Sequence, residues 1–323
     1  MRASGRPASG TRASGVPDAA RLHLRLPATS ANLGSGFDAT AVALNLFLEI
    51  TAETADDFFI AASGRDAARC ARLEDNLILD TYARLLAQND RPAHPLSLKM
   101  VNAVPLGMGC GSSAAGRLAA IALANHFGNL GWTGEQILEE ACALEGHPDN
   151  AAACWLGGFV ATAGAGRRVY VARAVPPSEW RAIVVLPSSP LATSEARAVL
   201  PERYSRADAV LNVQSAALLG LAFAQGRGDL LAMAMRDRLH QPYRESICPM
   251  LAPLLPLAGS HGILGVALSG AGPAVLVILE DDQSISAASQ AIRAALTGLP
   301  EPDLLICEFE SGEGQIQVDY EPS

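Results

Sequence analysis

A glycine-rich segment in the middle of the chain has the residue types of a phosphate-binding loop. Three glycines, Gly107, Gly109 and Gly111, alternate with other residues in the segment 104–115, called the glycine loop below, and two serines and an alanine-rich run follow them. Glycine allows positive φ and a close approach of the backbone to an anion, and the N-terminus of a following helix stabilises negative charge. The loop therefore predicts a phosphate site, although taken alone it also fits a tight turn before a helix.

Two other kinds of nucleotide site are disfavoured. The glycine loop lacks the lysine of a G-x-x-x-x-G-K-[ST] sequence, which argues against a P-loop NTPase. The chain also has no strand-linked G-x-G-x-x-G followed by an acidic residue about 20 positions later, as a dinucleotide site requires. The interpretation of the glycine loop therefore depends on its companion motifs.

Two further segments form an ordered set with the glycine loop. The first motif, residues 27–38, reads PATSANLGSGFD, and the third motif, residues 268–275, reads LSGAGPAV. Together the three resemble the motifs of the GHMP family of small-molecule kinases. Within that family the chain is most similar to the homoserine kinases, through SANLG and GFD in the first motif, EGHPDN at 145–150, TSEAR at 193–197 and QPYRE at 241–245. The resemblance spans nearly all of the chain beyond its N-terminal tail.

The resemblance implies an α+β fold with the two-domain GHMP kinase architecture. Its N-terminal α+β domain is similar to ribosomal protein S5, and its C-terminal domain is ferredoxin-like. We expect a flexible tail at 1–20, an ATP-binding domain at 21–175 and a second domain at 176–323, divided at the Pro176-Pro177 pair. The order of strand and helix patterns after residue 176 also indicates a small antiparallel sheet with helices on one side.

Local patterns predict the elements that position the motifs. Alternating leucines at 22, 24 and 26 indicate a strand that leads into the first motif. A helix is expected at 112–127, directly after the glycine loop, and another from 134 to 144, started by a capping box of Thr133 and Gln136 and ended by Gly146. Further strands are expected at 43–50, 58–61, 95–101, 157–162, 168–175, 182–186, 264–269, 274–279 and 304–310. Further helices are expected at 74–88, 207–225, 229–239 and 283–297.

The resemblance assigns the glycine loop to ATP and Mg²⁺. The expected nucleotide-binding residues are Pro105, Gly107, Gly109, Gly111, Ser112, Ser113 and Ala114. Mg²⁺ prefers hard oxygen ligands, and we expect Ser112 to supply one, with Ser113 as the alternative, and Glu145 to supply the second. The structural alternatives are helix capping by the serines and a solvated glutamate at a helix end, which the helix dipole disfavours.

The resemblance also assigns a set of residues to an amino-acid substrate, L-homoserine. They are Asn32, Asp38, His147, Asp149, Asn150, Arg197, Arg244, Gly270 and Gly272. A carboxylate such as Asp38 suits an α-amino group, amides orient a hydroxyl, and the planar fork of an arginine matches a carboxylate. The expected catalytic positions are Asn32, Asn150 and Thr193, near the hydroxyl and the transferred phosphoryl group. Residues 147–150 are expected on a loop, and His240 either assists the site or caps a helix.

These interpretations predict the ATP-dependent phosphorylation of the side-chain hydroxyl of L-homoserine to O-phospho-L-homoserine, a step of threonine biosynthesis. Phosphoryl transfer depends on positioning and charge neutralisation, and no residue is an evident general base. One alternative is a mevalonate-type or sugar kinase, but a neutral sugar needs neither the arginines nor Asp38. The other is a non-catalytic ligand sensor, which has no need of a Mg²⁺ site.

Composition narrows the partners and the location. The formal net charge of −9, without a basic cluster, argues against a nucleic-acid partner. The six cysteines show no metal-binding spacing, which favours free thiols in the cytoplasm, and Cys110 in the glycine loop is interpreted as an apolar filler. No uninterrupted apolar run reaches the roughly eighteen residues of a membrane span. Members of the resembled family are commonly homodimers, whereas the sequence leaves the oligomeric state open. The pair Gly116-Arg117 is unusual in the expected helix.

Overall fold

Two β-sheets and the helices packed on them organise the chain, and a computed structural model describes its residues 20–320. The expected tail at 1–20 lies outside these residues except for Ala20, which begins the first strand. The strands are β1 (Ala20–Ala31), β2 (Thr40–Thr54), β3 (Phe59–Gly64), β4 (Leu96–Asn102), β5 (Phe159–Ala165), β6 (Arg168–Ala174), β7 (Arg181–Leu186), β8 (Ile263–Leu268), β9 (Val275–Leu279), β10 (Asp303–Glu308) and β11 (Gln315–Tyr320).

The helices lie between these strands. They are α1 (Ala67–Cys70), α2 (Leu77–Gln88), α3 (Ser112–Phe127), α4 (Gly134–Glu145), α5 (Asp149–Leu156), α6 (Thr193–Ala198), α7 (Arg206–Gln225), α8 (Leu231–Ala234), α9 (Gln241–Arg244), α10 (Leu251–Leu254) and α11 (Ser284–Ala295). Two short 3₁₀ helices span Gly228–Leu230 and Leu255–Leu257.

The first sheet has seven strands and carries the glycine loop. Its main order is β11-β1-β2-β4-β3, and β5 pairs with β2 and β6. The long strand β2 pairs with β1 along one edge and with both β4 and β5 along the other. Only the β3–β4 pair is parallel among the described strands. The period of two in a strand places Leu22, Leu24 and Leu26 in the core, as the alternating pattern predicts.

Helix α3 lies against this sheet and begins where the glycine loop ends. Small residues dominate its buried surface, and Ala114, Ala115 and Ala119 are all fully buried. A Cβ at Gly116 would lie 3.3 Å from the side chain of Leu77, so glycine allows α2 and α3 to pack closely. The N-terminus of α3 is thereby fixed between the sheet and its neighbouring helices.

The second sheet has four antiparallel strands in the order β10-β7-β9-β8, the order expected of a ferredoxin-like domain. Both faces of its two central strands are buried, which explains why β7 and β9 are almost continuously apolar. Ile183 and Val185 face a core with α10 and α11, whereas Val184 and Leu186 face the first sheet. The two-domain α+β architecture implied by the resemblance is therefore present.

One hydrophobic core spans the two domains, in addition to the core between the second sheet and helices α10 and α11. Phe223 of α7 stacks on Phe159 of the first sheet with ring centroids 4.3 Å apart, and Trp180 meets Phe223 edge-on at 5.6 Å. The last strand, β11, pairs with β1 in the first sheet. The expected second domain at 176–323 therefore ends before residue 315, since the final strand belongs to the first domain.

Helix α7 is long and apolar enough to cross a membrane by length and composition alone, although only 28% of its most apolar stretch is buried in the protein. One side of it packs on the protein through Leu219 and Phe223. Its Asn212 side chain donates to the carbonyl of Ser35 at 2.8 Å and accepts from the amide of Arg238 at 3.1 Å. The helix is thus tied to the loop of the first motif.

The expected helices at 112–127 and 134–144 are confirmed, and the Thr133–Gln136 capping box is present. Two local predictions are wrong. The helix expected at 229–239 ends at Ala234, because the Asp237 carboxylate instead accepts from the amides of Leu239, His240 and Gln241. The loop expected at 147–150 ends early, because α5 begins at Asp149.

Candidate active site

The three motifs meet at one cleft, and hydrogen bonds hold them together. The amide of Thr29 in the first motif donates to the carbonyl of Cys110 in the glycine loop at 3.0 Å. The hydroxyl of Ser269 in the third motif donates to the carbonyl of Gly109 at 2.7 Å. Every predicted site residue except Pro105, which is buried, lines the cleft, whose volume is about 250 Å³.

The glycines of the glycine loop are required by conformation and by space. Gly109 and Gly111 have φ values of 79° and 72°. A Cβ at Gly109 would lie 2.2 Å from the carbonyl oxygen of Ser269, and one at Gly111 would lie 1.9 Å from the hydroxyl of Thr29. Gly111 precedes α3 without a side-chain cap, which leaves the first N–H groups of the helix available to an anion.

Burial raises the pKa of the Cys110 thiol to about 12. The side chain is fully buried under the glycine loop. A thiol with such a raised pKa is a poor nucleophile, which supports its interpretation as an apolar filler.

A serine, a glutamate and an arginine form a polar cluster at the start of α3. The Ser113 hydroxyl donates to Glu145 Oε1 at 2.7 Å, and Arg117 Nε lies 2.6 Å from the same oxygen. Ser112 instead accepts from the amide of Gly107 at 3.5 Å. Ser113, rather than the expected Ser112, is therefore the serine beside Glu145. The two hard oxygens of Ser113 and Glu145, set against the glycine loop, fit a Mg²⁺ ion.

At the other end of the cleft, Asp38 and Arg197 form a two-pronged ion pair. The Arg197 terminal nitrogens lie 2.7 and 3.1 Å from the two carboxylate oxygens of Asp38. The hydrogen bonds to Asp38, chiefly, raise the pKa of Arg197. Both side chains are only partly buried, at 34% and 40% exposure, so the pair remains open to the cleft.

Arg244 is a buried cation that has no carboxylate partner in residues 20–320. Only 1% of the residue is exposed. It donates from Nε to the carbonyl of Ala196 at 2.9 Å and from a terminal nitrogen to His240 Nδ1 at 3.1 Å. Among the described residues no carboxylate lies within ion-pair distance of it. Burial, and then the charge of Arg197, lower the pKa of Arg244, and a negatively charged ligand would relieve both effects.

His240 is fully buried and forms a hydrogen bond with Arg244. Its Nε2 bonds to the carbonyl of Gly34 at 2.8 Å, so Nε2 carries the proton and Nδ1 accepts from Arg244. Burial is the main cause that lowers the pKa of His240. The ring of Phe37 stacks on His240 at 5.1 Å and lies under both arginines, 5.7 Å from Arg197 and 5.5 Å from Arg244. His240 therefore supports the site rather than capping a helix.

The segment 147–150 supplies a second carboxylate to the cleft. His147 Nδ1 lies 2.8 Å from Asp149 Oδ1, which also accepts from the amide of Asn150 at 2.7 Å. Burial alone would lower the pKa of His147, but the bond to Asp149 and the nearby carboxylates outweigh it and raise the pKa. Ligand atoms of Asp38, His147 and Asp149 all lie within 4.8 Å of one another, so the two carboxylates share this end of the cleft.

Two of the three expected catalytic positions already hold protein partners. Asn32 accepts from the amide of Asp38 at 2.9 Å and donates to the carbonyl of Gly270 at 2.7 Å. Asn150 accepts from the hydroxyl of Thr29 at 2.7 Å. Thr193 is the first residue of α6 and lines the cleft. Asn32 thus joins the first and third motifs in this structure.

A second, more apolar hollow of about 300 Å³ adjoins the cleft across the glycine loop. It shares Gly107, Ser112 and Ser113 with the cleft, and its walls include Leu77 and Met100. The sequence reasoning missed this hollow, as it missed Phe37 and Arg117 in the cleft itself. In the sequence, the only signal of the hollow was the apolar residues that flank the glycine loop.

Comparisons with known proteins identify the family. The family models "GHMP kinases N terminal domain" and "GHMP kinases C terminal" match residues 76–158 and 221–298. A homoserine kinase of Solibacter usitatus is 46% identical over 80% of this chain and 85% of its own length. The chain belongs to the homoserine kinase family.

Other members of the homoserine kinase family agree with this assignment. The homoserine kinase of a Synechocystis strain is 37% identical over 82% of this chain and 88% of its own length. The crystal structure of homoserine kinase from Cytophaga hutchinsonii matches 95% of this chain and 100% of its own with a TM-score of 0.77. At 22% identity that structure supports the GHMP kinase fold alone.

Proposed function

We propose that this protein transfers the terminal phosphoryl group of ATP to the side-chain hydroxyl of L-homoserine, giving O-phospho-L-homoserine for threonine biosynthesis. The observation that carries the proposal is the division of one cleft into two ends. One end holds the glycine loop and the N-terminus of α3. The other holds Asp38, Arg197 and Arg244, whose charges complement an amino acid.

The amino-acid end fits a zwitterion. Arg244 offers a buried positive charge to a carboxylate, through the terminal nitrogen that does not bind His240. Asp38 offers a carboxylate to an ammonium group. In the present structure Asp38 and Arg197 bind each other. A bound zwitterion would separate this pair, with its ammonium group on Asp38 and its carboxylate on Arg197.

The nucleotide end fits ATP with Mg²⁺. The glycine loop and the free N–H groups of α3 would hold the phosphates, and the adjoining apolar hollow beside Leu77 and Met100 suits a nucleobase. Ser113 and Glu145 would hold Mg²⁺, which neutralises charge on the phosphates when bound. The distance between these two side chains, 2.7 Å, supports Ser113 over Ser112.

Polar residues of the amino-acid end would orient the hydroxyl. Thr193, Asn150 and Asp149 line this part of the cleft. The bond from Thr29 fixes the Asn150 amide, and the bonds of Asp149 to His147 and to the amide of Asn150 fix that carboxylate. Rigid polar groups of this kind position the hydroxyl in line with the phosphoryl group. We propose no general base.

Mevalonate and sugars fit the charges less well. Mevalonate has a carboxylate but no ammonium group for Asp38, and a sugar has neither charge. A non-catalytic sensor would not need Ser113 and Glu145 beside the glycine loop. The cytoplasmic location, the homodimer and the absence of nucleic-acid and membrane partners stay predictions.

The test is ADP release with Mg²⁺ and ATP in the presence of single acceptors. L-Homoserine is compared with 4-hydroxybutyrate, which lacks the amino group, with 3-aminopropan-1-ol, which lacks the carboxylate, and with mevalonate and galactose. We expect L-homoserine to give the highest kcat/KM and each truncated acceptor to lose at least tenfold. Higher turnover of mevalonate or galactose, or ligand binding without turnover, would overturn the proposal.

A further inference from the structure

Arg117 is a positive charge near the N-terminus of α3, the end of a helix that does not favour one. It lies in the second turn of α3, close to the positive end of the helix dipole. Side chains in a helix lean toward its N-terminus, so Arg117 extends back over Ser113, four residues earlier, and into the cleft. The helix dipole therefore gives no reason for a positive charge at this position.

Glu145 shows the opposite mismatch. It is the last residue of α4, near the negative end of that dipole, and only 8% of its side chain is exposed. The two misplaced charges compensate each other through the 2.6 Å contact of Arg117 Nε with Glu145 Oε1. Such a pair brings a cation and a carboxylate together beside the glycine loop, where phosphates would bind.

The contact with Glu145 uses only part of the Arg117 guanidinium. Nε also lies 3.4 Å from the Ser113 hydroxyl. The two terminal nitrogens make no hydrogen bond to any residue in the part of the chain that the structure describes, and the side chain lines the cleft at 23% exposure. A guanidinium with two free terminal nitrogens is suited to bind phosphate oxygens in a bidentate manner.

We propose that Arg117 binds the outer phosphates of ATP through its terminal nitrogens, while Glu145 is shared between Arg117 and Mg²⁺. The inference rests on the proposed function, since it deepens the description of the same nucleotide site. Arg117 adds a full positive charge to the N–H groups of the glycine loop and α3. This charge acts on the phosphates themselves and does not depend on the metal.

The experiment measures nucleotide affinity by calorimetry, without homoserine, for the wild type and the Arg117→Gln variant. We expect the variant to bind ATP and ADP at least about tenfold more weakly, the range given by charge-assisted hydrogen bonds, and to bind AMP with unchanged affinity. The loss persists in EDTA because the arginine contacts the phosphates directly. Arg117→Lys keeps the charge without the fork, and its loss is intermediate.

Arg167→Gln is the matched control. Arg167 forms a 3.1 Å pair with Glu140 on the same helix as Glu145, but at an exposed site outside the cleft. This variant keeps the wild-type affinities for all three nucleotides. Thermal melting of each variant separates lost binding from lost folding.

The outcomes distinguish this inference from the proposed function. If Arg117→Gln weakens ATP, ADP and AMP equally, or weakens none of them, Arg117 does not bind the outer phosphates. If its effect vanishes in EDTA, Arg117 acts only through Glu145 and the metal, and the inference is wrong. A wild type that prefers ATP to AMP but does not turn over homoserine would overturn the function and leave the assignment of Arg117 intact.

Discussion

Replacing Arg244 with methionine tests the amino-acid end of the cleft most directly. Methionine is about as long as the apolar stem of arginine, so it fills much of the buried space while removing the charge and the hydrogen bonds. Truncating one partner of a buried hydrogen-bonded charge pair costs about 2–5 kcal/mol of binding. We therefore expect kcat/KM for L-homoserine to fall by roughly 30-fold to several thousandfold.

Replacing Arg244 with methionine also changes the free energy of unfolding, through two effects of opposite sign. The substitution leaves the carbonyl of Ala196 and His240 Nδ1 without a donor, which costs about 1–3 kcal/mol for each buried group. It also removes a buried cation that has no carboxylate among the described residues, and that removal is stabilising. The two effects oppose each other, so the net cost to folding is smaller than the roughly 2–6 kcal/mol that the two unpaired groups would cost alone.

The assay compares two acceptors in the same variant. If Arg244 binds the substrate carboxylate, kcat/KM for 3-aminopropan-1-ol, which has none, stays within about threefold of its wild-type value, an effect below 1 kcal/mol. Arg236→Met, an exposed change in the same segment, keeps wild-type values for both acceptors. Equal losses for the two acceptors would show that Arg244 supports the site without contacting the carboxylate, and the reasoning from its charge would fail.

Three further changes test other parts of the site. Glu145→Gln raises the Mg²⁺ concentration needed for half-maximal activity by about tenfold or more, since a carboxylate ligand is lost, whereas ATP affinity in EDTA does not fall; an unchanged Mg²⁺ titration would exclude Glu145 as a ligand. In urea unfolding, Gly111→Ala destabilises the fold by more than Gly131→Ala. Both positions have positive φ, but only a Cβ at Gly111 meets another atom, the hydroxyl oxygen of Thr29 at 1.9 Å. Equal losses of stability would mean that this contact relaxes. Burial lowers the pKa of His240, so the unfolded chain binds a proton on this histidine at a higher pH than the folded protein does. The free energy of unfolding therefore falls as the pH drops below about 6.5. We expect this fall to be shallower in His240→Asn, and identical slopes in the variant and the wild type would contradict the assignment.

The sequence predicts the local features of the fold best. The boundaries of α3 and the capping box of α4 depend on neighbouring residues and are visible in the pattern. The helix expected at 229–239 fails because one side chain, Asp237, takes the amides that a helix would use. The return of β11 to the first sheet depends on pairing with residues about three hundred positions earlier, and no local pattern reports it.

The sequence predicts which residues form the candidate site better than it predicts which of them contact one another. The resemblance names most of the residues that line the cleft, because most of them belong to short motifs. It does not predict that Ser113 rather than Ser112 meets Glu145, since both face the loop and one helical step decides between them. Arg117 is outside every motif, and its charge gains meaning only from the geometry around Glu145.

The pairing of β1 with β11 has a consequence for synthesis on the ribosome. Chains emerge N-terminus first, and domains generally fold as units during synthesis. Here β1 has its final neighbour on one edge only after residues 315–320 have emerged. Until then the nascent first domain presents an unpaired strand edge, a template for wrong association. Completion of the glycine-loop domain is thereby delayed until the other domain has been translated, and a fragment cut at Pro176 would leave that edge open.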